Sequence, residues 1–246
     1  MTTFVDRDRL IQAANSMLRV WDYKDYGPMG AQYIGCDKIK KIVSGVSICE
    51  DLIYEAAGAD ADAILVHHGL FWDTEPLTLD MRLEDRLIYL DYFDMNLLSY
   101  HLALDAHEHF GNNVNILKTL GCTDLRRFAD VGWGGILPKD WTIQPLLDEF
   151  GGSSFYYFAG QNKPHRAAVV TGSGGKLIHE AHNEGYDLFI TGELEEPSKA
   201  LAKELDIGLV ALGHHQSEKS GIRELGKRLA IMFGIEHEFV DIDNPV

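Results

Sequence analysis

The sequence predicts an α/β protein with mainly parallel or mixed sheets, because short apolar runs alternate with amphipathic helical patterns along the whole chain. The run at residues 63–66 is apolar throughout, which is typical of a strand buried in a parallel sheet. With 246 residues, 46% of them hydrophobic, the chain is large enough for one big domain or two compact lobes.

The expected elements follow one another in a regular order. Ser47 and Glu50 have the spacing of a capping box, which predicts that Ser47 caps the second helix. Pro197 suits the first turn of a later helix. In the first half we expect helices at 10–18, 47–58, 83–93 and 114–121, and strands at 39–46, 63–66 and 97–100. In the second half we expect strands at 167–171, 188–191, 207–212 and 239–242, and helices at 177–181, 197–205 and 220–233.

A shift of 125 residues, the separation of Asp62 and Asp187 (187 − 62), aligns two parts of the chain. It also places the strand at 64–66 on the strand at 189–191. The helical residues paired in this way are Leu52 with Leu177, Ile53 with Ile178, Glu55 with Glu180, and Ala56 with Ala181. A true repeat predicts two related α/β lobes, and chance likeness between two helix–strand units is the alternative.

The charge balance limits the kinds of partner. The chain carries 22 Lys and Arg against 38 Asp and Glu, a formal net charge of −16. This balance argues against a general nucleic-acid binder, which needs clustered cations to neutralise phosphates, and against docking on an anionic membrane. The longest apolar stretch, 207–213, is far shorter than the ~20 residues of a bilayer helix, and the N-terminus has no signal-peptide core. Three cysteines without a CxxC motif indicate reduced thiols, so we expect a cytoplasmic protein.

Histidine and carboxylate residues follow the predicted strands. His67 and His68 come directly after the run at 63–66, where adjacent side chains can face two different ions; a hydrogen-bonded turn is the alternative. His101 and Asp105 follow the strand at 97–100. Asp105 is a hard anionic ligand that His101 could orient, and helix capping is the alternative for this aspartate.

A third set follows the strand at 207–212. His214 and Glu218 are four residues apart, on one face of a helix, while His215 is interpreted as a structural or outer-shell residue. Parallel strands bring their carboxyl ends to one edge of a sheet, and imidazole with carboxylate but no thiolate suits Zn, Mn, Fe or Ni in a two-ion site. The predicted ligands of two divalent metal ions are His67, His68, Asp105, His214 and Glu218.

Two further features belong to the second half. The glycine-rich segment 171–175 lacks a complete dinucleotide or Walker motif, so we interpret it as a tight turn, with an anion cradle as the alternative. Glu193 lies just beyond the strand at 188–191, as a candidate general base or outer-shell group. We predict that His101 and Glu193 are the catalytic residues.

These motifs resemble those of the Nif-three-like family, often labelled type 2 GTP cyclohydrolase I homologues. The chain departs from common family patterns at 29–31, at Trp133 and at 197–199, where a histidine of many members is missing; these positions lie outside the five predicted ligands and concern the substrate. The length is similar to that of the compact form without an inserted domain. The similar segments are 25–32, 65–72, 101–105, 170–175, 190–193, 213–218 and 239–245.

The resemblance implies a fold and an assembly. It implies two similar, interlocked α/β lobes with a dinuclear metal site in the cleft, held by the same five ligands, and a toroidal homohexamer. We expect a first lobe at 1–125, completed by 213–246, and a second lobe at 126–212.

The resulting hypothesis is a dinuclear-metal-dependent hydrolase of the GTP cyclohydrolase type, in which a metal-activated water opens the purine ring and formate is released. A small anionic substrate such as a nucleotide fits this hypothesis. The alternative is a metal-binding adaptor or metal-handling protein without catalytic turnover. A third interpretation, a regulatory DNA-binding ring, would require a basic patch on one face of an acidic protein.

Overall fold

A computed structural model describes residues 3–76, 78–150, 155–158 and 163–246 of the chain. The chain divides into two compact units. The first unit consists of Met1–Leu104 and Ile222–Asp243, and the second of Asp105–Gly221 and Asn244–Val246. Each unit contains one large sheet and its own buried apolar core.

The helices and strands alternate along the chain, as the apolar patterns predict. Up to Asp105 they are β1 (Val5–Asp6), α1 (Arg7–Leu18), β2 (Gly30–Tyr33), β3 (Lys38–Ile39), β4 (Lys41–Ser47), α2 (Glu50–Gly58), β5 (Ala63–His68), α3 (Met81–Tyr92), β6 (Asn96–Ser99) and α4 (Leu102–Asp105). They continue with α5 (Asn112–Thr119), β7 (Thr123–Phe128), β8 (Gly132–Ile136), α6 (Gln144–Phe150), β9 (Phe155–Tyr157), β10 (Arg166–Val170), α7 (Ile178–Asn183), β11 (Leu188–Thr191), α8 (Ser198–Glu204), β12 (Gly208–Ala211), α9 (His214–Ser217), α10 (Lys219–Phe233) and β13 (Glu236–Phe239). Short 3-10 turns lie at Val20–Asp22 and Gly175–Leu177.

The large sheet of the first unit has the strand order β13-β4-β5-β6-β2. Neighbouring strands from β13 to β6 are parallel, and β2 is antiparallel to β6. The strands β4 and β5 are buried along most of their length, and the apolar face of α2 packs with them through Leu52 and Ile53. Burial on both faces explains why these strands read as continuous apolar runs in the sequence.

The sheet of the second unit has the strand order β7-β8-β10-β11-β12-β9. Its three central strands are parallel, and β8 and β9 pair antiparallel with β10 and β12. Alternate residues of the central strands enter two different apolar clusters, for example Val169 and Ile190 in one and Phe189 in the other. The predicted α/β class is therefore confirmed as a mixed fold with parallel and antiparallel pairing.

The 125-residue similarity corresponds to the same hydrogen-bond pattern in each unit. Asp62 Oδ2 accepts from the backbone N–H groups of Lys40 and Lys41, at 2.6 and 3.0 Å, at the start of β4. Asp187 Oδ1 accepts from the N–H groups of His165 and Arg166, at 2.8 and 2.7 Å, at the start of β10. Both aspartates stand just before the next parallel strand, so each unit contains the same β–α–β arrangement tied at its entrance by one carboxylate.

The predicted capping box is wrong. The N-cap of α2 is Cys49, and no side chain of the helix start accepts a capping hydrogen bond there. Ser47 is instead the last residue of β4, and its hydroxyl lies 2.9 Å from Nδ1 of His68. The strand continues further than the apolar pattern indicates, which carries the serine to the edge of the sheet beside the histidine pair.

Other expectations differ in extent. The terminal strand β13 begins at Glu236 instead of 239, and it alternates between exposed and half-buried residues. The hairpin of β7 and β8 has no counterpart among the predicted elements, because β7 is largely exposed and β8 is rich in glycine. Cys36, Cys49 and Cys122 are free thiols. Among the described residues, no helix has the length and apolar character needed to cross a membrane.

Candidate metal site

The predicted ligands lie where parallel strands end. In the first unit, His67 and His68 are the last two residues of β5, and His101 follows β6 by two residues. In the second unit, Asp105 ends α4 and His214 begins α9, three residues after β12. Loops at the carboxyl ends of parallel strands are the usual location of ligands in α/β folds.

The two adjacent histidines of β5 have different surroundings. His67 is fully buried, and its Nδ1 lies 2.8 Å from the backbone carbonyl oxygen of Tyr100. His68 is half-buried, and its Nδ1 lies 2.9 Å from the hydroxyl of Ser47. With Nδ1 occupied by an oxygen partner, the Nε2 atom is the nitrogen each ring presents to a metal ion.

His101 is held by a buried carboxylate. Its Nδ1 lies 2.7 Å from Oδ1 of Asp25, whose side chain is only 3% exposed. The other carboxylate oxygen of Asp25 accepts from the backbone N–H of Leu102 at 2.8 Å. Burial raises the pKa of Asp25, but its hydrogen bonds with His101, Leu102 and Tyr26 outweigh this effect and hold that pKa below its usual value. An ionised carboxylate therefore fixes the orientation of the ring.

Three histidines of the first unit, His67, His68 and His101, form one cluster. The ring centroids of His67 and His68 are 4.7 Å apart, and those of His67 and His101 are 4.9 Å apart. One nitrogen from each of the three rings lies within 4.8 Å of the others, so the group could hold a metal ion. The sequence places His101 beside Asp105 as an orienting residue; its nearness to the histidines of β5 depends on the pairing of β5 with β6, which the sequence spacing does not reveal.

Aromatic residues flank this cluster. The Trp72 ring stands edge-on to His101 at 5.1 Å and to His68 at 5.7 Å. Gln32 ties the segment after the histidines to β2, since its Oε1 accepts from the backbone N–H of Leu70 at 2.6 Å. A small cavity of about 10 Å³ is lined by Gln32, Trp72 and His101 among others. This volume suits about one water molecule.

Asp105 occupies a polar pocket of the second unit. Its Oδ1 accepts from Nδ2 of Asn112 at 2.8 Å and from Oγ1 of Thr171 at 3.2 Å. Asn113 adds a hydrogen bond from its Nδ2 to the Asp105 backbone carbonyl at 3.1 Å, and its Oδ1 accepts from the Thr171 N–H. Asp105 is only 4% exposed. A buried carboxylate needs hydrogen-bond partners, and this network supplies them, so it explains the position of Asp105 better than helix capping does.

His214 lies between two carboxylates of the second unit. Its Nε2 is 3.2 Å from Oε2 of Glu218, and its Nδ1 is 2.6 Å from Oε1 of Glu193. Burial lowers the pKa of His214, but Glu218 and Glu193 raise it more, to about 9. Burial also raises the pKa of Glu193, while hydrogen bonds from Ser173 and His214 outweigh this effect and hold that pKa below its usual value. Glu193 thus orients His214 through the nitrogen that faces away from Glu218.

The glycine-rich turn after β10 supports these residues. Gly172 has a φ of +60°, and a Cβ there would collide with Oε1 of Glu218 and come within 3.2 Å of Nε2 of His214. Its carbonyl accepts from the backbone N–H groups of Gly192 and Glu193, at 3.1 and 2.9 Å. The segment behaves as the predicted tight turn, and it leaves room for the Glu218 carboxylate.

His215, next to His214 in the chain, is buried. Its backbone N–H donates to the carbonyl of Val246 at 2.9 Å, consistent with the structural interpretation given to it from the sequence. Sequence reasoning does not predict the supporting contacts of three residues: Ser47, Asp25 and Thr171. For Ser47 and Thr171 the position at a strand end is a signal in the sequence, whereas Asp25 lies in the segment before β2 and has no such signal.

Known proteins are similar to this chain over almost all of its length. The family model described as Duf34/NIF3 (NGG1p interacting factor 3) matches residues 5–245. A Yersinia pestis protein named "GTP cyclohydrolase 1 type 2 homolog" is 36% identical over 242 residues, covering 94% of this chain and 96% of that protein.

Solved structures have the same fold. The structure described as "Structural genomics, protein ybgI, unknown function" superposes with a TM-score of 0.92 at 33% identity, covering 98% of this chain and 100% of that one. The crystal structure of TTHA1606 from Thermus thermophilus gives a TM-score of 0.91 at 29% identity, covering 98% and 100% of the two chains.

Proposed function

Because this chain belongs to the Duf34/NIF3 (NGG1p interacting factor 3) family, we propose that it is a metal-dependent hydrolase with a dinuclear centre. The proposed ligands of the two ions are His67, His68, Asp105, His214 and Glu218. A mixed set of imidazole and carboxylate suits Zn, Mn, Fe or Ni.

The observation that carries this proposal is the common anchoring of the histidines. Nδ1 of His67, His68 and His214 lies 2.6–2.9 Å from an oxygen atom of the same unit. Metal-binding histidines almost always donate the second ring N–H in this way, to a carboxylate, a carbonyl or a water. The donor set therefore fits a metal ion, since each ring is held with Nε2 as the ligating atom.

The chemistry of such a centre would be hydrolytic. When bound, two divalent ions lower the pKa of a coordinated water towards neutrality and supply positive charge for an anionic substrate. Glu193 holds His214 in place, and we propose that Glu193 and His101 handle the protons of the reaction. A cyclohydrolase acting on a purine nucleotide is the specific form of this proposal, because of the name borne by the Yersinia pestis relative.

The experiment combines metal analysis with turnover. Purified protein is loaded with each of Zn, Mn, Fe and Ni, and formate release from GTP is measured beside the hydrolysis of a panel of nucleotides and phosphoesters. We expect two ions per chain, and turnover that falls in parallel with metal content in His68→Ala and Glu218→Gln. Metal-loaded protein that releases no more formate than His214→Ala would exclude the cyclohydrolase and leave metal binding intact.

A second candidate is a metal-binding adaptor or metal-handling protein without turnover. The observation that favours it is that groups of histidine, aspartate and glutamate among the described residues could hold a metal ion, which is all that metal handling requires. It predicts that metal occupancy responds to His68→Ala and Glu218→Gln while no substrate of the panel is hydrolysed by any loaded form.

The remaining proposals concern assembly and location. We propose a toroidal homohexamer of interlocked lobes, with lobes at 1–125 plus 213–246 and at 126–212, and a cytoplasmic location. Light scattering coupled to size-exclusion chromatography tests the hexamer, for which the expected mass is six times 27.6 kDa. Nucleic acid is not among the proposed partners because of the net charge of −16.

A further inference from the structure

We propose that His67, His68 and His101 form a three-histidine site, and that this site is filled first when the protein binds divalent transition-metal ions. This inference deepens the proposed function and rests on it for the nature of the ligand, a divalent metal ion. It adds His101, which is not among the five proposed ligands and handles protons only while no ion occupies this site, and it needs only residues of the first unit.

The distances between the three rings are compatible with one ion. A nitrogen from each ring lies within 4.8 Å of the other two. With metal–nitrogen bonds of about 2.0–2.1 Å, the nitrogens of a tetrahedral site are about 3.3 Å apart. The spacing of the three nitrogens therefore differs from that of a tetrahedral site by at most about 1.5 Å (4.8 − 3.3).

Each of the three rings is held through its Nδ1 atom by an oxygen atom of the protein. Tyr100 provides a backbone carbonyl for His67, Ser47 provides a hydroxyl for His68, and Asp25 provides a buried carboxylate for His101. The carboxylate–histidine–metal arrangement is a recurring outer shell of zinc sites, and it raises the basicity of the ligating nitrogen. Of the three rings, His101 has the carboxylate partner, which is the strongest acceptor of the three. Its hydrogen bonding is therefore that of a metal-binding histidine.

The chemistry of the donors decides which ions bind here. Three neutral imidazoles suit Zn, Ni, Co or Cu better than Mn or Mg, which prefer carboxylate oxygens. The second unit offers the opposite kind of donor set, because His214 lies beside Glu218 and Asp105 is a carboxylate. An imidazole-preferring ion added in less than one equivalent is therefore expected at the three histidines.

Trp72 supports the same assignment. Its indole ring stands at 61° to the ring of His68 and at 89° to that of His101, so it borders both histidines. An aromatic neighbour of this kind replaces water on one side of both rings, and charge interactions at a bound ion are stronger on that side. Three histidines and one open position are the pattern of a site that exchanges its ion or binds water.

The test uses Co²⁺ as the probe and the full chain. The variant Asp105→Asn/Glu218→Gln removes two proposed ligands of the second unit and leaves the three histidines intact. We expect it to bind one equivalent of Co²⁺ with the intense visible absorption of a tetrahedral site. Adding His101→Ala, or His101→Gln, is expected to weaken that binding at least tenfold, while His109→Ala, which changes an exposed histidine, leaves it unchanged.

A second measurement avoids any dependence on variant folding. In the unaltered protein labelled with nitrogen-15, half an equivalent of Zn²⁺ is expected to shift the Nε2 resonances of all three histidines. The inference is overturned if the His67 and His68 resonances move and that of His101 does not, or if the double variant binds no Co²⁺ while the unaltered protein binds two ions. Both outcomes leave the proposed dinuclear centre standing. An unaltered protein that binds no ion at all overturns the proposed function together with the inference.

Discussion

Oε1 of Glu193 lies 2.6 Å from Nδ1 of His214, while Nε2 of the same ring lies 3.2 Å from Glu218. The imidazole is thus held from both sides by carboxylates of one unit. Glu193 itself is fixed by Ser173, whose hydroxyl donates to its Oε2 at 2.7 Å. Glu193, proposed to handle protons, therefore also orients His214, a proposed metal ligand.

Replacing Glu193 by glutamine is expected to weaken metal binding about tenfold, because the amide keeps the shape of the side chain but loses the charge that favours the Nδ1–H donor. The dissociation constant for Zn²⁺, measured by competition with a chelator, is the readout. Glu196→Gln, an exposed change in the same loop, serves as the control. Equal affinities for the two variants and the unaltered protein would show that Glu193 does not support the ligand.

Gly172 is expected to tolerate no side chain. In Gly172→Ala the new methyl group meets the Glu218 carboxylate, and the residue keeps a φ of +60° that alanine adopts at a cost of about 1–2 kcal/mol. We expect a lower free energy of unfolding in urea and a weaker affinity for Zn²⁺, since the displaced carboxylate is a proposed ligand.

Gly58→Ala is the matched control for this change. Gly58 is the last residue of α2, and a Cβ there has no atom within 4 Å among the described residues. Alanine is the better helix former, so this variant is expected to be about 0.5–1 kcal/mol more stable, with unchanged metal affinity. A Gly172→Ala protein that matches it in both measurements would contradict the steric argument.

Much of the fold could be predicted from the sequence because buried parallel strands are apolar on both faces. The strand β11, Leu188–Thr191, has the bounds that its apolar run predicts, and β5 continues two residues past the run into the histidine pair. The hairpin β7–β8 could not be predicted, because an exposed edge strand needs no apolar alternation and β8 gains its place by close packing of Gly134 against Tyr186.

The strand-end positions of the predicted ligands could be read from the same pattern, but their supporting contacts could not. A hydroxyl such as that of Ser47 finds its partner through the register of β4 with β5, which pairs Ser47 with His68. The spacing of Ser47 and Glu50 alone favours a capping box. Over four residues, a serine that ends a strand has the same sequence pattern as a serine that caps a helix. The role of Asp25 likewise depends on a contact with a residue 76 positions away.

The two aspartates at equivalent positions of the repeat are expected to matter equally for stability. Asp62→Ala and Asp187→Ala each remove an acceptor shared by two backbone N–H groups at the start of a strand. We expect each change to lower the free energy of unfolding by about 1–3 kcal/mol. Asp62→Asn and Asp187→Asn keep an acceptor oxygen and should lose less. A large loss from one aspartate and none from the other would argue against a shared function of the repeat.

His237 is expected to make stability depend on pH. It lies in β13 with its Nε2 2.8 Å from the hydroxyl of Ser44, and burial, assisted by the charge of Lys227, lowers its pKa from 6.5 to about 4 despite the opposing effects of Glu224 and Glu238. Between these two pH values the folded state binds fewer protons than the unfolded state. The stabilisation is therefore complete above pH 6.5 and is lost as the pH falls towards 4, by about 1–2 kcal/mol because water screens the half-buried ring.

Urea unfolding at pH 7.5, 6 and 5 measures this loss. His237→Gln cannot take up the proton, so its free energy of unfolding should fall less over the same range than that of the unaltered protein. His179→Gln, an exposed change on α7, should follow the unaltered protein. If His237→Gln and His179→Gln lose the same stability on acidification, another group is responsible, because only a proton taken up by the unfolded chain and refused by the folded one produces this slope.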